Sequence, residues 1–116
     1  MKIRIKGNSL RYRLTKVDVN TFAEKKYIEE AINFGNQTLW YALQQYDKDQ
    51  LSATFTNTRI TLLMPEAMAN EWITTDRVGF EYQDEGLFLL VEKDFKCLDN
   101  VAEDQSDNYP NPLSKL

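Results

Sequence analysis

The chain has 116 residues, 42% of them hydrophobic, which suits one compact domain with a modest core and argues against a second. Its 18 acidic residues outnumber 14 basic ones, giving a net charge of -4 and a pI near 4.8, so a nucleic acid would be repelled everywhere except at a local basic patch. Histidine is absent, which removes the commonest general base near neutral pH and the commonest zinc ligand, and the single Cys97 has no partner for an internal disulfide.

The first thirteen residues carry Lys2, Arg4, Lys6, Arg11 and Arg13 and no acid. Charge at every second position from Lys2 breaks the apolar run that a signal peptide needs, and no stretch approaches a membrane span, so a soluble cytoplasmic protein is expected. Period-2 alternation marks strands at about 2 to 6 and 9 to 14 around a Gly7-Asn8 turn. That turn sets Lys6 against Ser9, Ile5 against Leu10, Arg4 against Arg11, Ile3 against Tyr12 and Lys2 against Arg13, with every cation on one face. Two facing pairs are like-charged, an arrangement that asks for an anion from a ligand or from the chain's own carboxylates.

Thr15 followed by Asp18 is a helix-start signature, and Val19, Phe22 and Ala23 share a face of a short helix that should end near Lys25. Residues 27 to 34 alternate again, with Ile28, Ile32 and Phe34 on one side, and Gly35-Asn36 turns the chain into a strand through Leu39, Tyr41 and Leu43. The second half repeats this order. Strands are expected near 51 to 56 and 59 to 64, a helix opened by Pro65 and Glu66, and strands near 77 to 83 and 87 to 95 around Asp84-Glu85-Gly86. A shift of 50 residues lays Ile3 on Ala53, Ile5 on Phe55, Leu10 on Ile60, Tyr12 on Leu62, Leu14 on Met64, Val19 on Ala69, Phe22 on Trp72 and Ile28 on Val78.

These patterns predict an α+β domain over residues 1 to 98, an antiparallel sheet or barrel of about eight strands with two helices, built from a duplicated β-β-α-β-β unit with halves at 1 to 46 and 51 to 95. Leu10, Tyr12, Leu14, Phe22, Leu62, Met64, Trp72, Val78, Phe80 and Leu89 are the expected core. Residues 99 to 116 form an acidic tail with Asp99, Glu103, Asp104, Asp107 and a Pro110-Asn111-Pro112 stretch. It reads either as a free terminus or as a segment whose Glu103, Asp104 or Asp107 sits near Arg11 or Arg13.

The basic face is the chemical clue. Guanidinium groups offer paired donors to a phosphate and ammonium groups a compact charge, so Lys2, Arg4, Lys6, Arg11 and Arg13 form a candidate ligand-binding set, to which Arg59 and Lys93 are added. The equivalent face of the second half carries Ser52, Thr54, Thr56, Thr61 and Leu63 instead. Glu29, Glu81 and Glu92 are spaced as no known metal loop, and pairing with the cations is the favoured role for them; no metal or cofactor is expected. Trp40, Tyr41, Tyr46 and Tyr82 would suit base stacking beside a basic groove, but core packing accounts better for most of them, which argues against nucleic acid. The favoured function is binding of a phosphorylated or polyanionic small molecule without catalysis. The alternatives are a protein-protein interaction module and a divergent phosphohydrolase.

The last alternative rests on a resemblance. The duplicated order of strands and helices over residues 1 to 95 is similar to the CYTH-like, or triphosphate tunnel, barrels, which would imply a polar channel that binds triphosphates. That family opens on an alternating Glu-x-Glu-x-Lys strand whose carboxylates hold metal ions. Here the strand is Lys2-Ile3-Arg4-Ile5-Lys6, so only Lys6 matches and bases replace both acids. Over nearly the whole chain, KIRIKGNSLR at the start, VGF at 78 to 80, VEKDFKCL at 91 to 98 and DNYPNP at 107 to 112 resemble a small family of bacterial proteins that has no assigned activity.

Overall fold

A computed structural model describes residues 1 to 95, so Cys97 and the acidic tail, with the expectation about Glu103, Asp104 and Asp107, lie outside the described residues. The elements in order are β1 (Lys2–Lys6), β2 (Ser9–Leu14), α1 (Lys16–Lys25), β3 (Tyr27–Asn33), β4 (Thr38–Tyr46), β5 (Ser52–Thr56), β6 (Arg59–Pro65), α2 (Glu66–Thr74), β7 (Gly79–Asp84) and β8 (Leu87–Lys93). The repeated β-β-α-β-β order is therefore present in both halves.

Local chemistry explains the element boundaries. Thr15 caps α1 in a reciprocal box: its hydroxyl accepts from the Asp18 N–H while the Asp18 carboxylate accepts from the Thr15 N–H. Lys26 ends the helix in the left-handed region at φ 58°, its N–H returning to the Phe22 carbonyl. At the start of α2, Pro65 occupies the cap position with no side-chain bond, one residue earlier than the favourable first-turn position expected for it.

Each sheet takes one hairpin from each half. The first has the order β1-β2-β8-β7 and the second β3-β4-β6-β5. Within each hairpin the strands are antiparallel, but the two central pairs, β2 with β8 and β4 with β6, are parallel. The expected single antiparallel sheet or barrel is thus replaced by two mixed four-stranded sheets that do not close. The cause is the interleaving: each helix carries the chain from one sheet to the other, so the hairpins that meet at a sheet centre come from different halves.

The inward faces of both sheets and the apolar sides of both helices share one core, including Leu10, Tyr12 and Leu14 from β2, Leu43 from β4, Leu62 and Met64 from β6, and Leu89 and Val91 from β8. Phe22 and Trp72, equivalent positions of the two halves, meet edge to face at 6.2 Å between ring centres, where α1 and α2 pack together. The Tyr12 hydroxyl donates to the Ile60 carbonyl across the core, and burial holds its phenol well above the usual tyrosine range.

Of the expected core only Val78 is out of place, at 49% exposed. The reason lies in the repeat. Leu10 faces Leu89 as Ile60 faces Tyr41, and Tyr82 faces Leu89 as Glu30 faces Tyr41, so the shift of 50 that holds through the helices becomes 52 in the following strand and 48 in the last. The true counterpart of Ile28 is accordingly Phe80, which is buried. The β3–β4 hairpin is longer than its counterpart, which carries Ile32 and Phe34 beyond the core into exposure. Val78 serves through its backbone instead: its carbonyl accepts from the Trp72 indole and from the Lys93 N–H, each at 2.8 Å.

Candidate functional site

The first hairpin has the register set by its turn: Lys2 opposite Arg13, Arg4 opposite Arg11 and Lys6 opposite Ser9. Gly7 supplies the positive φ of 55° that the tight turn needs, and the Asn8 amide donates to the Gly86 carbonyl at 2.7 Å, tying this turn to the one between β7 and β8. Because Leu10, Tyr12 and Leu14 point into the core, Arg11 and Arg13 point out of the sheet with Lys2, Arg4 and Lys6. The five cations share the outward face.

The neighbour of β2 on its other side decides their electrostatics. The parallel pairing sets Arg13 opposite Glu92, which points outward like the arginines. Glu92 Oε1 accepts from Arg11 Nε at 2.8 Å and from Arg13 Nε at 2.9 Å, with Arg11 Nη2 at 2.7 Å. One half-buried carboxylate therefore holds two guanidinium groups that would otherwise repel each other. Asp94, two residues further along the same side, pairs with Lys2 at 3.1 Å and approaches Arg13 at 4.0 Å, and its N–H extends the ladder to the Leu14 carbonyl. Among the described residues Arg4 and Lys6 have no such partner. Lys2, Ile3, Arg4, Arg11 and Arg13 line a shallow hollow of about 230 Å³ on this face.

Arg59 and Lys93 are not brought to it. Arg59 lies on the outward face of the second sheet, where it pairs with Glu29, donates to the Tyr27 hydroxyl at 2.6 Å and stacks on Trp40 with its guanidinium 4.9 Å from the ring centre. Its hydrogen bond to Glu29 raises its pKa further above an already permanent charge. Lys93 is one residue past Glu92 and so takes the opposite side of β8, where its ammonium donates to the Thr75 carbonyl at the end of α2. The expectation that acids pair the cations holds for Glu92 on the hairpin, while Glu29 serves Arg59. Asp94 was not among the candidate residues; the alternation Glu92-Lys93-Asp94, which puts both acids on one side, was the signal for it.

Among the described residues no group of three or more His, Cys, Asp or Glu side chains is placed to hold a metal ion, and no helix is long and apolar enough to cross a membrane. Two mixed sheets, two helices and one basic outward face with a shallow hollow define an α+β protein. The chain belongs to DUF7009, a family of unknown function, which matches residues 1–113. Comparison with curated proteins and with solved structures gives no match, so no structural neighbour supports the likeness to the triphosphate tunnel barrels.

Proposed function

We propose that the outward face of β1, β2 and β8 binds the phosphate groups of a small anionic molecule. The observation that carries this reading is the hollow lined by Lys2, Ile3, Arg4, Arg11 and Arg13, beside which Arg4 lacks a partner among the described residues while Glu92 and Asp94 hold its neighbours in place. Guanidinium groups that line one hollow, those of Arg11 and Arg13 steadied by internal carboxylates and that of Arg4 beside them, offer a phosphate oxygen charged donors whose positions are partly set. The hollow is smaller than the sites of about 300–1,000 Å³ that enclose drug-sized ligands, so it suits a phosphate or short polyphosphate group and leaves the rest of a larger molecule outside. Binding is favoured over catalysis because the charged groups around it are lysine and arginine side chains and carboxylates already held in ion pairs.

Thermal denaturation and titration calorimetry at low ionic strength with phosphate, pyrophosphate, tripolyphosphate, ATP and sulfate test the reading. Stabilisation should grow with the number of phosphates, weaken as salt rises, and disappear in Arg4→Ala and Arg11→Ala but not in Arg59→Ala. A protein whose melting temperature ignores all five anions, or whose response is lost equally in Arg59→Ala, does not use this face for anions.

A further inference from the structure

The two sheets have four edge strands among the described residues, β1, β7, β3 and β5. Exposed edges offer unpaired backbone groups to other chains, and charge on them is a common defence. Three of the four are charged with one sign: β1 with Lys2, Arg4 and Lys6, β3 with Glu29 and Glu30, and β7 with Glu81 and Asp84. The charges of β1 and β7 set each of those strands against a copy of itself, while Glu29 and Glu30 of β3 are engaged by Arg59 and the Met1 ammonium. The fourth, β5, reads Ser-Ala-Thr-Phe-Thr and carries no charge.

The bonding parity of β5 is equally specific. Asn57 and Thr58, at φ 52° and 59°, make a two-residue turn in which the flanking pair Thr56 and Arg59 is hydrogen-bonded. By alternation Ser52, Thr54 and Thr56 direct their backbone groups toward β6, while those of Ala53 and Phe55 face outward from the edge. The side chains of Ala53 and Phe55 line an apolar cleft of about 260 Å³ together with Ile5, Leu10, Ile60 and Leu87, at whose mouth Phe55 is 70% and Ile5 63% exposed.

We infer that β5 is the contact through which two copies of this chain associate, as an antiparallel β5–β5 pair with Thr54 on the twofold axis. In that register Ala53 of each copy opposes Phe55 of the other. The four outward-facing backbone groups of each strand's Ala53 and Phe55 are then all paired, and the large side chain of one copy lies over the small one of its partner at the lip of the cleft. A twofold contact of this kind is closed and self-complementary, and β5 itself carries no charge to repel its copy. It joins the two second sheets into one of eight strands and leaves both basic faces free.

Sedimentation of the full chain over a wide concentration range is the primary test. The mass should rise from 13.6 kDa toward twice that value, and Phe55→Lys, which adds a like charge on each side of the axis, should weaken association by about tenfold or more. The register is read separately by cysteine crosslinking in a Cys97→Ser background. Thr54→Cys should form a disulfide dimer on mild oxidation, since a facing pair without hydrogen bonds lies within disulfide reach, whereas Ser52→Cys, opposite Thr56 of the partner, should not. If Phe55→Lys fails to fold by circular dichroism, the crosslinks decide alone. A monomer at every concentration, a dimer indifferent to Phe55→Lys, or equal crosslinking at residues 52 and 54 overturns the proposal. The anion titration is independent, because Phe55→Lys leaves every residue of the basic hollow in place.

Discussion

The outward faces of the two sheets hold the same places in a repeated frame and share almost no chemistry. On the first, Arg11 lies beside Leu90 and Arg13 beside Glu92; on the second, the counterpart pairs are Thr61 beside Ala42 and Leu63 beside Gln44. Lys2, Arg4 and Lys6 at one edge correspond to Ser52, Thr54 and Thr56 at the other. All three members of the Arg11–Glu92–Arg13 cluster are replaced together by uncharged residues, and the same strand pairing persists. The frame therefore does not need these three charges, because Thr61, Leu63 and Gln44 satisfy the same ladder at those positions without ions. What the first face gains is a set of fixed donors; what the second gains is neutrality at its β5 edge.

The largest expected effect falls on what both faces share. Phe22→Ala and Trp72→Ala remove equivalent rings from the contact between the helices, and each should cost about 3–5 kcal/mol in urea denaturation, with Trp72→Ala the worse because it also deletes the bond to the Val78 carbonyl. Similar losses would show that the halves contribute alike; a much smaller loss for one would mean that the second half does not bear equally on the common core.

Gly79→Ala probes the seam between β7 and β8. A Cβ there would stand 2.1 Å from the Val91 carbonyl oxygen and 2.8 Å from the Glu92 Cα, so β7 must move away from its partner. A loss of about 1–3 kcal/mol is expected, accompanied by weaker anion binding because Glu92 shifts with its strand. Unchanged stability would show that β7 has slack the geometry does not suggest.

Carboxylate removal compares the faces directly. Glu92→Ala leaves Arg11 and Arg13, two residues apart on β2, without the carboxylate between them and should cost about 1–2 kcal/mol at low salt, recovered in part by added phosphate, whereas Glu29→Ala, which frees Arg59 and the Tyr27 hydroxyl, should cost less than about 1 kcal/mol and show no recovery. The combined change Arg11→Thr, Arg13→Leu and Glu92→Gln, which copies the second face onto the first, should stay within about 1 kcal/mol of the parent while abolishing the phosphate response. A copied face that still binds phosphate would place the site elsewhere.

The smallest effect concerns the first position of each half. Leu51 begins the second unit as a buried apolar side chain, while the Met1 ammonium is clasped by Asp18 of α1 and Glu30 of β3. Burial works to lower the pKa of that amine, but the hydrogen bonds and charges of Asp18 and Glu30 outweigh it and raise the pKa above 8.0. Asp18 is shifted the other way: burial alone would raise it, and the ammonium and Thr15 bring it below 3.8. The amine's contribution is complete below pH 8 and is lost as pH rises through its raised pKa; that of Asp18 is present above 3.8 and is lost as pH falls through its lowered one. Melting temperatures should thus decline on both sides of neutrality, and Glu30→Gln should reduce the alkaline decline. An alkaline limb unchanged by that substitution would remove the clasp from the explanation.

Several features follow from the sequence by itself because their causes are local. Lys2 falls opposite Arg13 once a two-residue turn is fixed at Gly7-Asn8, and α1 begins at Thr15 because the capping pair lies within one turn of helix. Repetition of the unit was likewise readable up to the second helix, since apolar period and spacing are local quantities. The parallel pairing of β2 with β8 joins residues about 80 positions apart, and no local period specifies which strand lies beside which. Tertiary structure alone therefore decided that Glu92 sits between Arg11 and Arg13, that Arg59 turns outward on the other sheet, that Lys93 reaches the end of α2, and that Val78 gives its place in the core to Phe80. A face of cations is written in the chain's first thirteen residues, but its counter-ions and its hollow exist only once a distant strand is laid beside it.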